Sequence, residues 1–374
     1  MSTSPSVAEV VRHPVASAES AESAALLVSA SVFVVAAVIG LFAFWGQFLP
    51  ISGPGSLGQF VAIWSGVAAV AAFVTARVLI SRSRTPALSG SRRAEATIVD
   101  FPWYDVAAVA VAHGVIALLG WIGIADLLEK SFIGAQVYAV SAALLAGVAI
   151  AASTYISFLS AVSMTPTLLS LVLAVFLVVG AFASMLSSSD PLWWQKNLST
   201  LGMPDDISSL AFNLTLIIAG VLVTAIAHYA TANLPVRTPK ELHGRSWVRG
   251  ALTLIGILLA CVGLFPLDRS LTIHNVSASG MAIVYVILAL GIGRFIPSMP
   301  RVFVVLGYVF VGVIVLLAIF FISGYYNLTA VELVAFLMIF TWLIVFMRNT
   351  RSLGVAEPAL APTRAQLEPE ELAQ

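Results

Sequence analysis

The residues of this chain able to do chemistry are few and far apart. Five histidines (His13, His113, His228, His243 and His274) are scattered among apolar runs, and the one cysteine, Cys261, lies inside such a run. A single thiol makes neither an intramolecular disulfide nor a cysteine-ligated zinc or iron–sulfur site. The histidines form no His-x-x-x-His or His-x-x-Glu-His ligand pair, and no phosphate-binding glycine loop or Gly-x-Ser-x-Gly elbow is present. No metal or other cofactor is expected. One trio has the residue types of nucleophilic catalysis: Ser199, Asp268 and His274 supply a hydroxyl, a carboxylate and an imidazole. No oxyanion-hole motif accompanies them, so a hydrolase or transferase is the weakest of three readings.

Those three residues fall in two short polar segments. The first, 188–208, carries Asp190, Lys196, Asn197, Ser199, Asp205 and Asp206; the second, 266–275, carries Asp268, Arg269 and His274. With Asn213 just beyond, they form a candidate outer pocket for a small-molecule or lipid ligand. The plainer alternative is a solvated cap, with Asp205 or Asp206 capping the next helix and Asp268 pairing with Arg269.

The elements that must position these segments follow from composition. Sixty per cent of the 374 residues are apolar and 10% charged, against about 25% charged in an average soluble domain. There is too little polar surface to cover a soluble core, so lipid must be the solvent. Spans of roughly 20 apolar residues are expected at about 24–46, 57–80, 104–125, 133–158, 167–187, 208–230, 249–266, 275–296, 302–323 and 329–347. Thr165-Pro166 reads as the N-cap and first residue of the fifth, Ser298 to Pro300 separates the eighth from the ninth, and Thr329 to Glu332 reads as a capping box opening the tenth. The fold class is therefore an all-α polytopic helical bundle of ten transmembrane helices.

Basic residues fix the expected orientation. With the N-terminus inside, Arg12, Arg77, Arg82, Arg84, Arg92, Arg93, Arg237, Lys240, Arg245, Arg249, Arg294, Arg301, Arg348, Arg351 and Arg364 are cytoplasmic. Only Lys130, Lys196 and Arg269 are outside. Fifteen against three is a strong positive-inside bias, so both termini are expected in the cytoplasm. The arginine-rich usage, with abundant alanine and valine, points to a bacterial inner membrane. The run after Ser23 is too long for a signal-peptide core, so it reads as an uncleaved first span. The expected organisation is a disordered cytoplasmic tail at 1–23, a four-helix segment at 24–160, a six-helix domain at 165–350 and a second disordered tail at 351–374. A net charge of zero gives no basis for nucleic-acid binding; membrane lipids are the expected partners.

Within the spans, ionisable groups are costly and need a partner or a role. His113 lies mid-span with small Ala110, Ala117 and Gly120 on its face, so it should point into the bundle. There it either hydrogen-bonds a neighbouring helix or relays protons. Ser209, Asn213, Gly220, Thr224 and His228 share an arc of the sixth span, as a polar path or as a tight packing face. Ala68, Ala72 and Ala76, and Ala143, Gly147 and Ala151, read as packing seams. No span carries a mid-membrane Asp or Glu of the kind coupled carriers use.

The two polar segments also carry a resemblance. Asn-Leu-Ser-Thr-Leu-Gly at 197–202, Phe-Asn at 212–213, Gly-Leu-Phe-Pro at 263–266, and His274 with Ala278 resemble the bacterial membrane family of domain of unknown function 998, over about residues 165–350. That family is distantly similar to the Frag/DRAM/Sfk membrane proteins, which implies a role in membrane lipid or envelope organisation. The resemblance singles out Asn197, Ser199, Gly202, Asn213, Phe265, Pro266 and His274, and leaves the first four spans unmatched. The leading expectation is a non-enzymatic multi-pass inner-membrane protein of that kind. A transporter or lipid flippase using the sixth span is the alternative.

Overall fold

A computed structural model describes residues 14, 15, 17–83, 102–203, 206–232, 234, 236 and 238–355. Among them are ten helices long and apolar enough to cross a membrane. In chain order they are α1 (Ala18–Ala43), α2 (Leu57–Ser83), α3 (Trp103–Ser131), α4 (Ala139–Val162), α5 (Pro166–Leu186), α6 (Ile207–Ala232), α7 (Pro239–Leu264), α8 (Leu271–Phe295), α9 (Arg301–Ile322) and α10 (Leu328–Val355). The chain is thus a helical, multi-pass membrane protein.

Several helices begin away from the apolar windows, because a cap rather than hydropathy sets a helix start. The Ser17 and Ser20 side chains form a reciprocal capping box that opens α1 six residues before position 24. The Thr238 hydroxyl accepts the Glu241 N–H, and Pro239 occupies the first turn, so α7 begins ten residues before 249 and carries Lys240, Arg245 and Arg249 as helical residues. Thr165 caps α5 as its sequence indicates, accepting the Leu168 N–H at 3.2 Å.

A two-stranded antiparallel pair was not expected. Strands β1 (Phe48–Pro50) and β2 (Gln136–Tyr138) join the α1–α2 and α3–α4 connections, with Phe48 opposite Tyr138. Their rings meet edge to face at 5.2 Å. The pairing satisfies backbone groups of two connections, and it delays α4 to Ala139 instead of 133.

The first four helices pack together, α1 on α4 and α2 on both α3 and α4. Small residues set these contacts: a Cβ on Gly40 would lie 3.2 Å from the Ala143 Cα, and one on Gly66 would lie 3.0 Å from the Gly114 carbonyl. From α5 onward, successive helices pack in sequence, α5 on α6, α6 on α7, α7 on α8, and α10 returns to α5 and α6. Helices α5 and α6 also pack on α3, and one core of buried residues, including Phe73, Phe158, Leu222 and Trp342, runs through both groups. The end of the bundle bearing 188–208 and 266–275 is termed the loop face, and the opposite end the arginine face.

Candidate functional site

The segment after α5 folds as two short 3-10 turns, Trp193–Gln195 and Leu198–Gly202, laid across the loop face. Its charged residues bond locally. The Asp190 carboxylate accepts the Leu192 N–H at 2.9 Å and Lys196 Nζ at 3.0 Å. These contacts hold the Asp190 carboxyl below the usual carboxylate range. Asn197 Oδ1 caps the second turn through the Thr200 N–H at 2.9 Å. Asp206 caps α6, accepting the Ser209 N–H at 3.0 Å and the Ser189 hydroxyl at 2.7 Å. Asp205 lies outside the described residues.

Three long-range contacts then lock the turns onto the helices. The Asn213 side chain of α6 donates to the Gly202 carbonyl at 2.9 Å, and a Cβ on Gly202 would lie 2.6 Å from Asn213 Oδ1. Only glycine admits that approach. Glu332 Oε2 accepts the Leu198 N–H at 2.6 Å, and Asn327 donates to the Trp194 carbonyl at 3.0 Å. The capping box expected at Thr329 therefore does not form: Asn327 Oδ1 caps α10 through the Ala330 N–H at 3.0 Å, and Glu332 is turned outward to hold the neighbouring loop. A free N–H at the edge of a membrane domain is a stronger demand on that carboxylate than a second cap on its own helix.

His274 completes the network. It is buried at the start of α8, 3% exposed, with Nδ1 3.0 Å from the Phe265 carbonyl and Nε2 3.0 Å from Ser199 Oγ. Against a carbonyl, Nδ1 must donate, so in the neutral ring Nε2 accepts the Ser199 hydroxyl proton. That is the tautomer and contact of a serine nucleophile with its base, a backbone carbonyl standing where a triad has a carboxylate. Asp268 does not take that place. It and Arg269 are exposed, and among the described residues they pair neither with each other nor with His274. The Pro266 carbonyl meanwhile accepts the Arg269 and Ser270 N–H groups at 3.0 Å each. Asn197, Ser199, Gly202, Asn213, Phe265, Pro266 and His274, far apart in sequence, thus meet in one corner of the loop face.

The stripe on α6 is occupied by α7. A Cβ on Gly220 would lie 2.4 Å from the Gly256 carbonyl, one on Gly256 2.4 Å from Thr224 Oγ1, and one on Gly263 2.6 Å from the Asn213 carbonyl. The Thr224 hydroxyl turns back to the Gly220 carbonyl at 2.9 Å. Of the two functions open to that stripe, close packing is the one seen. His228 departs from the stripe: it is exposed, its ring edge-on to Tyr229 at 5.7 Å. His113 bridges helices, with Nδ1 2.8 Å from the Val109 carbonyl, Nε2 2.8 Å from Ser160 Oγ of α4, and Phe73 against its ring.

Two features escaped sequence reasoning. Asp105, buried at the arginine-face end of α3, accepts the Tyr229 hydroxyl of α6 at 2.5 Å, a contact 124 residues long-range. At the loop face Asp126 accepts the hydroxyls of Ser52 and Ser187, the latter at 3.3 Å, and Glu129 accepts the Ser52 N–H at 3.2 Å. All three acids lie near the ends of α3, and the only signal for them was a carboxylate at the margin of an apolar window. No group of three metal-ligating side chains occurs among the described residues.

The architecture and this hydrogen-bonded corner define a polytopic α-helical membrane protein with a polar cap on one face. Residues 170–349, from within α5 to within α10, match the family described as Protein of unknown function (DUF998). No curated protein and no solved structure matches the chain.

Proposed function

We propose that this is a non-enzymatic inner-membrane protein, both termini cytoplasmic, that acts in membrane lipid or envelope organisation through its loop face. One observation carries the reading. The residues shared with the family resemblance, Asn197, Ser199, Gly202, Asn213, Phe265 and His274, are tied by hydrogen bonds across three segments into one network at the loop face. A transport path along α6 lacks support, because the small and polar residues at its centre are in contact with α7. Two clefts of about 390 and 330 Å³ lie elsewhere, on helix flanks that face lipid in this reading. Deleting the gene should change lipid composition, leaflet asymmetry or sensitivity to envelope-active drugs; unchanged values for all three would end the proposal. Reporter fusions within 188–208 test the orientation separately and are expected to report an extracytoplasmic position.

A second reading rests on the 3.0 Å contact from Ser199 Oγ to His274 Nε2. In an outward-facing hydrolase or lipid transferase, Ser199 would attack an acyl carbonyl as His274 Nε2 takes its proton. A fluorophosphonate probe should then label the wild-type protein and not Ser199→Ala. Equal labelling of the two, or none of either, removes this reading and leaves the first intact.

A further inference from the structure

The α7–α8 flank toward the arginine face carries a groove that no part of the loop-face site uses. Gly250, Ala251 and Leu254 line one wall, and Val284, Ile287 and Leu288 the other, around a volume of about 390 Å³. Gly250 deepens it, since a Cβ there would meet nothing within 4 Å. At the end nearest the arginine face Trp247 stacks on Phe295, with ring centroids 6.3 Å apart and planes within 3°. The groove is thus an apolar slot running along the membrane depth, of the size of small-molecule pockets.

The few polar groups that line the groove stand at that same end. Trp247 Nε1 donates to His243 Nε2 at 3.1 Å, which leaves Nδ1 as the second polar atom of that ring. Ser246 lines the same end. Arg294 follows Ile287 by seven residues, within about 20° of the same face of α8. It is exposed and makes no hydrogen bond or ion pair with a described residue. An apolar slot ending in a tryptophan and a histidine, with the Arg294 guanidinium two turns beyond Ile287 on the same face of α8, fits an acyl chain joined to a phosphate.

We infer that the α7–α8 groove binds one anionic phospholipid, its acyl chain between Gly250 and Ile287 and its phosphate at Arg294 and His243. This rests on the chain being membrane-embedded and on nothing at the loop face. A site of this kind places a diacyl anionic lipid at a fixed position on the DUF998 segment, and names a lipid class for a protein proposed to organise lipids.

Native mass spectrometry of the full chain released from detergent micelles tests it, with phosphatidylglycerol and phosphatidylcholine of identical acyl chains as probes. The wild type should retain phosphatidylglycerol about fivefold better, the size of one basic residue's attraction to an anionic headgroup. Arg294→Gln should equalise the two lipids, and Arg294→Lys should keep the preference. Gly250→Phe, which fills open space, should lose both. Equal retention by the wild type, an undiminished preference in Arg294→Gln, or full retention by Gly250→Phe would each overturn the assignment. So would displacement by soluble glycerol 3-phosphate, which would mean the site recognises phosphate without a chain. These are measurements on purified protein, so an envelope phenotype can fail while the groove binds lipid, and the reverse.

Discussion

His113 in the four-helix group and His274 at the loop face make the same pair of hydrogen bonds in different settings. Each ring sets Nδ1 against a backbone carbonyl and Nε2 against a serine hydroxyl, and each is almost fully buried. For His113 the carbonyl belongs to Val109, one turn back on its own helix, and Ser160 sits on α4, which α2 also packs against. For His274 the carbonyl lies before the helix and the serine lies 75 residues away on a 3-10 turn. The first histidine adds a bond between α3 and α4, both of which already pack on α2. The second is one of few links holding an irregular segment against the bundle. Identical chemistry therefore differs in consequence according to what else fixes the partners.

The largest expected effect comes from removing the second link. His274→Ala leaves the Phe265 carbonyl and the Ser199 hydroxyl without partners, a loss of roughly 3 kcal/mol when buried polar groups at about 1–3 kcal/mol each are uncovered. The segment 188–203 should also become sensitive to protease while the helices stay intact, a result read by limited proteolysis alongside thermal unfolding in detergent. If instead His113→Ala exposes that segment equally, the distinction between the two histidines collapses. Glu332→Ala comes next. It frees the Leu198 N–H from an acceptor 2.6 Å away, and a charge-assisted bond of this kind is worth about 2 kcal/mol. The same segment should open, and Glu332→Gln, which keeps an acceptor oxygen, should restore most of the protection.

Ser160→Ala sharpens the comparison from the other side. Hydrogen bonds between membrane helices average about 0.6 kcal/mol by double-mutant cycles, and α3 and α4 are held by other contacts. Thermal unfolding should therefore barely move, whereas Ser199→Ala should shift it measurably and loosen 188–203. Equal shifts would mean that the helical surroundings of His113 do not cushion the loss.

The difference between these regions also explains what could be read from the sequence. Helix number, the Thr165 and Asp206 caps and the small-residue contacts are local or periodic properties, and they appear in the residue order. The loop-face corner is not local. Glu332 meets Leu198 across 134 residues, and at the arginine face Asp105 likewise meets Tyr229 across 124. Nothing in Thr329 to Glu332 distinguishes a capping carboxylate from one that reaches a neighbour, because both need the same residue at the same helical position. The β1–β2 pair was hidden for a similar reason: three-residue strands have too little alternation to show a period. The early start of α7 was legible in Thr238-Pro239, a cap and first-turn proline that an apolar window passes over.

The smallest effect belongs to Asp190, at the outer edge of the segment whose inner edge His274 holds. Its carboxylate accepts the Leu192 N–H and the Lys196 ammonium, and its pKa is lowered by those bonds in that order. A carboxyl with a depressed folded-state pKa contributes stability that is complete above its unfolded value and is lost as pH falls through the folded one. Acidification below the usual carboxylate range should therefore release Lys196 and loosen the Trp193–Gln195 turn, while the contacts at Ser199 and His274 persist in the deeper half of the segment. Tryptophan emission compared between wild type and Asp190→Asn isolates the change: the two should differ at neutral pH and converge in acid. High salt should shrink the neutral-pH difference, because the ion pair is exposed, at 62% for the Lys196 side chain and 38% for that of Asp190. Convergence accompanied by protease cleavage at 198–203 would show that the edge and the His274 corner open together, and that the segment is one unit rather than a fixed core with a loose rim.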